Sequence, residues 1–284
     1  MKTFERTLRC ADGVQLPATL FEPPAAERVV VMAAAMGVPR KVYRRFAEYL
    51  VSRRTAVLTF DYRGVAEAAP AVENPATIKL EDWGRLDIEA AIAHAAHEFP
   101  DLPLLLAGHS CGGQLPGLAS NVAWLKGMIF IAASAPRMSH WHGLSRLGIE
   151  LTARVLIPLA TRGRWFPARK LKFSTIDIPA GVMRQWGQWL RGGHYLFSPQ
   201  FGIDLARYRA LKIPALAFSF ADDTSAPRHS VDALLSEYPH LALTRRHVAP
   251  AEAGASAIGH LGFFREDFRE TLWLQTANWI EQIT

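Results

Sequence analysis

The chain has 284 residues, half of them apolar and a fifth charged, which excludes disorder as the main state and suits one large domain with room for an insertion. Thirty-two Lys and Arg against 26 Asp and Glu leave a formal charge of +6, pointing to an anionic partner without naming it. Its two cysteines, Cys10 and Cys111, lie far apart and in no CxxC spacing, so neither a disulfide framework nor a structural zinc site is expected. The charged opening MKTFERTLRC lacks the apolar core of a secretory signal, and the longest uncharged stretch, 102–125, is interrupted by polar residues and glycines. A cytoplasmic protein with no membrane span is the expectation.

In chain order, ADGVQLPATLFEP sets a DG turn between two extended stretches, which predicts an antiparallel hairpin at a sheet edge. The runs 28–34 (RVVVMAA), 56–60, 102–107, 127–132 and 213–220 are near-continuously apolar, as parallel strands buried on both faces must be. Between them, 41–52 places Val42, Phe46 and Leu50 four apart, and 80–98 is Ala-rich, opens on Glu81 and Asp82 and stops before Pro100; both read as crossover helices. Phe264, Phe268, Leu272 and Trp279 mark a final amphipathic helix.

The alternation breaks between Pro136 and Ala210, where no convincing strand occurs but four of the eight tryptophans do. So apolar an insertion must pack over something, and a helical cap over the carboxyl edge of the sheet is the simplest placement, since ligands bind there in open α/β sheets. The expected division is a core of residues 1–135 and 211–284 with a cap of 136–210. Within the cap, Arg146, Glu150 and Arg154 form a charged stripe beside Leu147, Leu151 and Val155. An ordinary cap helix packed on the core is the plain expectation, and contact with a lipid surface the alternative.

Directly after the 102–107 strand comes Gly108-His109-Ser110-Cys111-Gly112-Gly113, a G-x-S-x-G that opens a helix. Ser110 would occupy a strained turn with Oγ exposed, so a Cβ at Gly108 or Gly112 would clash, and the same turn aims the Cys111 N–H at a developing oxyanion. A nucleophilic Ser needs a base and the base an orienting carboxylate. FADDTSAP supplies Asp223, with Asp222 as the alternative because only one of two adjacent side chains faces the base. IGHLG supplies His260; the competitor His247 lies within a strand-like run whose pleat directs its side chain. The second oxyanion donor is expected after the third strand, where Gly37 and Val38 offer backbone N–H groups, Val38 being assigned.

No phosphate-binding loop, H-E-x-x-H or dinucleotide fingerprint occurs, and neither His94/His97 nor His140/His142 comes with further ligands, so no cofactor or metal is expected. Basic residues are not interleaved with aromatics on a recognisable module, which argues against nucleic acid.

Through GHSCGG, MGVPRKVYRRFAEYL, TFDYRG, FADDTSAP and IGHLGFFR the chain resembles the α/β-hydrolase superfamily, more narrowly its serine-aminopeptidase-like bacterial members, over nearly its whole length apart from the cap. The resemblance implies an α/β-hydrolase fold: a mostly parallel eight-stranded sheet flanked by helices, with Ser110, Asp223 and His260 as triad. Two departures stand out: Met36 where many relatives have a His before the oxyanion-hole Gly, and Val65-Ala66-Glu67 where many continue Gly-x-Ser. The activity expected is hydrolysis of a carboxylic ester, thioester or amide through an acyl-enzyme. The competing readings are an acyltransferase using the same intermediate and a non-catalytic small-molecule binder. Twelve basic against three acidic residues in 136–210 give that segment a local +9, leaving the rest at −3. The expected partner is a small-molecule acyl substrate, with either an anionic substrate or product or an anionic surface met by the cap as the source of the charge preference.

Overall fold

The computed structural model describes residues 1–284. Eight strands form one sheet: β1 Lys2–Arg9, β2 Gln15–Glu22, β3 Arg28–Ala33, β4 Thr55–Phe60, β5 Leu104–His109, β6 Gly127–Ile131, β9 Pro214–Phe220 and β10 Ala242–Val248, in the order β1-β2-β4-β3-β5-β6-β9-β10. The remaining two strands, β7 Trp165–Phe166 and β8 Ile178–Pro179, pair only with each other. The opening hairpin, with Gly13 at a positive φ in its turn, adds antiparallel to β4, and every other pairing within the eight-stranded sheet is parallel, whereas β7 and β8 pair antiparallel. β3, β4, β5 and β6 are buried along their whole length, as their near-continuously apolar sequence requires. The strand order reverses between β3 and β5, so a crevice opens at their carboxyl ends, and the loops carrying functional side chains converge there.

The crossover helices form, with one departure from the expected faces and one widened turn. Residues 40–43 make a 3-10 turn before the α-helix Arg44–Ser52. The tighter winding turns Val42 to solvent, 41 % exposed, and buries Tyr43 in its place. The run from 80 to 98 starts where Asp82 accepts from the Lys79 N–H, widens into a π turn over Trp83–Ile88 and ends at Glu98. Trp83 stacks on Tyr62 with ring centroids 4.6 Å apart. At the carboxyl end, Phe264, Phe268, Leu272 and Trp279 are all buried, but two 3-10 turns, Gly262–Phe264 and Glu266–Phe268, precede the helix proper.

Between β6 and β9 the chain forms a helical run from 143 to 160, the β7–β8 ladder and the helix Ala180–Arg191. The ladder was not expected, because two residues per strand are too few to register as a periodic pattern. Trp189 is fully buried, while Trp141, Trp165 and Trp186 are half-buried. The helix Gly143–Leu151 departs from the expectation of a helix packed on the core, for it has no buried residue.

Candidate active site

The turn after β5 is built by steric exclusion. Ser110 sits at φ 52°, ψ −117°, a region that non-glycine residues seldom occupy, and it is held there by donating its N–H to Ile131 O (2.9 Å) while its C=O accepts from Gly113 N–H (3.0 Å). A Cβ on Gly108 would lie 2.5 Å from Gly112 O, and one on Gly112 would run into the backbone of Ala33. Both glycines are therefore required by contact, as the motif predicts.

Three loops then meet. The Nδ1 of His260 lies 2.8 Å from Asp223 Oδ2, and its Nε2 lies 2.9 Å from Ser110 Oγ. A carboxylate can only accept, so Nδ1 carries the proton and Nε2 is left to take the Ser110 hydroxyl proton. Asp223 is buried, its other oxygen accepting from Ser225 and Ala226 N–H (2.9 and 3.1 Å), which fixes the carboxylate plane. Asp222 points elsewhere: its Oδ2 accepts from Ile258 and Gly259 N–H (2.8 and 3.0 Å) and so anchors the loop that carries His260. His247 does not enter the site, its Nδ1 instead lying 2.7 Å from Ser219 Oγ on the neighbouring strand.

The expected oxyanion donor Val38 is corrected by the structure. Its N–H donates to Ala35 O (3.1 Å), closing the turn that Gly37 makes at φ 69°. The Met36 N–H, by contrast, meets no protein acceptor and borders the same cavity as Ser110, as does the equally free Cys111 N–H. Met36 and Cys111 are thus the available pair. The Cys111 thiol is buried and its pKa is pushed far up by desolvation, so it is not a competing nucleophile.

Sequence reasoning missed the framework behind these loops. Ala35 N–H donates to Tyr43 Oη (2.8 Å), Tyr43 Oη lies 2.9 Å from His109 Nδ1, and His109 Nε2 lies 2.9 Å from the His260 carbonyl oxygen. The carbonyl requires Nε2 to carry the proton, so Tyr43 donates to Nδ1 and the relay is fully paired. It ties the Met36 loop, the nucleophile strand and the His260 loop together in the interior. Burial pushes the His109 pKa down to about 3, keeping it neutral. A second brace holds the Met36 loop from below: Asp61, in TFDYRG, accepts from Arg40 N–H (2.7 Å) and from its guanidinium (2.5 Å). Arg63 of the same motif pairs with fully buried Asp87 at 2.6 Å. The motif is therefore structural; His109, by its place within G-x-S, was the one visible signal.

A cavity of about 410 Å³ opens over Ser110. Trp141, Ile149, Phe173, Trp186 and Leu190 of the inserted segment wall it, Lys172 is its one Lys or Arg, and no carboxylate lines it. A cleft of similar size beside Arg184 and Gln185 is polar and is not lined by Ser110, Asp223 or His260. No group of three or more His, Cys, Asp or Glu is disposed to hold a metal ion, and no helix is long and apolar enough to cross a membrane.

The fold and the convergence at its carboxyl edge define an α/β hydrolase, and the chain belongs to the alpha/beta hydrolase family, which it matches over residues 30–270. The match is to the family at large and specifies no branch within it. No curated protein matches the chain. Among solved structures it is similar to the esterase domain of a Rhodothermus marinus protein (TM-score 0.60, 16% identity, all of both chains covered). It is likewise similar to a thermostable carboxyl esterase from Bacillus coagulans (0.63, 15%, covering 100% of this chain and 99% of that one). A third is the monoacylglycerol lipase of Paleococcus ferrophilus (0.60, 15%, covering 95% and 99%). At these identities the likeness is one of fold.

Proposed function

We propose that the protein is a serine hydrolase of carboxylic esters that works through an acyl-enzyme, with residues 136–210 as a cap over the pocket. The observation that carries this reading is the His260 imidazole, hydrogen-bonded to Ser110 Oγ at 2.9 Å and to buried Asp223 at 2.8 Å. Ser110 Oγ attacks the ester carbonyl as Nε2 of His260 takes its proton; Asp223 stabilises the imidazolium, and the Met36 and Cys111 N–H groups receive the oxyanion. Collapse expels the alcohol, which leaves with the proton from His260. Water, deprotonated by the same nitrogen, then releases the acid and restores Ser110.

The largely apolar walls favour an ester over a peptide, and the esterase and lipase names of the structural neighbours support the same choice. Lys172, without an opposing carboxylate in the pocket, selects for an acyl compound bearing negative charge. The test is an acyl-chain series of nitrophenyl esters, neutral and carboxylate-bearing, on wild type and Ser110→Ala. Loss of at least about three powers of ten in kcat is expected for the variant. Activity within about tenfold of wild type would remove Ser110 as nucleophile.

A further inference from the structure

The cap helix from 143 to 160 has two apolar faces, of which only one is covered. On the inner face Ile149 borders the catalytic cavity, Ala153 is buried, and Ile157 packs against Gly187 of the helix Ala180–Arg191. On the outer face Leu144, Leu147, Leu151, Val155 and Leu159 are 87, 62, 58, 44 and 51 % exposed. They are spaced by three, four, four and four residues, and the wider π turn over Thr152–Leu156 keeps positions four apart aligned along one stripe. Scattered exposed leucines need no explanation, but five aliphatic side chains in one continuous row form a surface that water alone does not favour.

Charge decides what covers it. The segment carries a local +9, and Arg146, Arg154 and Arg162 are exposed on or at the end of this helical run, whose only acid, Glu150, is paired with Arg146. Two such caps brought face to face would repel, which disfavours a second copy as the occupant. An anionic lipid surface answers both features, taking aliphatic side chains below its headgroups and guanidinium groups at its phosphates. We infer that the outer face of this helix docks the protein on an anionic membrane surface. The helix lies flat there, and its opposite side forms the pocket wall at Ile149, so the lipid contact bears on the cavity directly.

The test is co-sedimentation with phosphatidylcholine vesicles, pure or containing about one third phosphatidylglycerol. Wild type is expected to pellet with the anionic vesicles, to release on addition of salt, and to bind pure phosphatidylcholine more weakly. The double variant Leu147→Glu, Leu151→Glu, at exposed positions, is expected to lose binding by at least about tenfold while hydrolysing a water-soluble ester at the wild-type rate. Ser110→Ala protein is expected to bind like wild type, so binding is read without turnover and the fate of the hydrolase reading does not decide it. Wild type remaining in the supernatant with both vesicles overturns the inference. So does unchanged binding by the double variant, or a wild-type dimer that the double variant converts to monomer.

Discussion

Around Ser110 the chain pairs its polar groups with one another in the interior, whereas along the helix Gly143–Leu151 it leaves large aliphatic side chains in water. Asp222, Asp223, Tyr43, His109 and Asp61 each have their partners within the fold, and the loops they hold are fixed to within a hydrogen-bond length. The helical run from 143 to 160 has no buried residue over its first nine. The first region is defined by what it touches inside, the second by what it meets outside. Substitutions should therefore act on kcat and stability in the first and on ligand preference in the second.

The sharpest way to break that contrast is at the two adjacent aspartates. Asp223→Asn is expected to lower kcat for a soluble ester roughly 10^3- to 10^4-fold with little change in KM, because the amide favours the wrong tautomer of His260. Asp222→Asn retains an oxygen for the Ile258 and Gly259 N–H groups and is expected to cost about tenfold or less. Steady-state kinetics of the pair checks this, and equal losses would mean that the two carboxylates do not divide the work as described.

A smaller effect is expected from the relay behind the site. Tyr43→Phe leaves Ala35 N–H and His109 Nδ1 unpaired in the interior, a cost of about 1 to 3 kcal/mol by urea unfolding, with kcat falling more than KM rises. His109 itself makes a pH prediction. Its folded pKa, near 3, is below the unfolded value of 6.5, so the unfolded chain binds a proton that the folded one refuses. Its contribution to stability is complete above pH 6.5 and declines as pH falls toward 3, by up to about 1.4 kcal/mol per unit. Urea midpoints at several pH values should show wild type losing more stability than His109→Phe across that window; parallel profiles would mean that His109 is protonated in the folded state.

The smallest effect is expected in the cap. Lys172→Met should raise KM for a carboxylate-bearing ester by about two- to tenfold and leave its neutral isostere unchanged, and should abolish the fall of kcat/KM with salt expected of the wild type on the anionic substrate. A salt-independent wild type would reduce the basic cap to a matter of solubility.

How much of this was legible in the sequence follows the same division. The elbow could be read because Gly108 and Gly112 are required by contacts local to one strand-to-helix turn, and because Asp223 and His260 follow it in order. Val38 could not be resolved from Met36, since the free N–H depends on which residue closes the turn onto Ala35 O. The Tyr43, His109 and His260 relay joins positions 66 and 151 apart in sequence, a distance at which no local pattern speaks. Val42 was placed on the wrong face because a 3-10 turn and an α turn share the same composition. In the cap, leucines three and four apart announce a helix equally well whether its apolar side is buried or bare.

Covalent labelling tests the central claim most directly. Wild-type protein treated with a fluorophosphonate should gain a single adduct by intact mass, mapped to Ser110, with ester hydrolysis lost in step, and Ser110→Ala should gain none. An adduct on another residue, or hydrolysis that continues with Ser110 fully labelled, would contradict the assignment of Ser110 as the nucleophile.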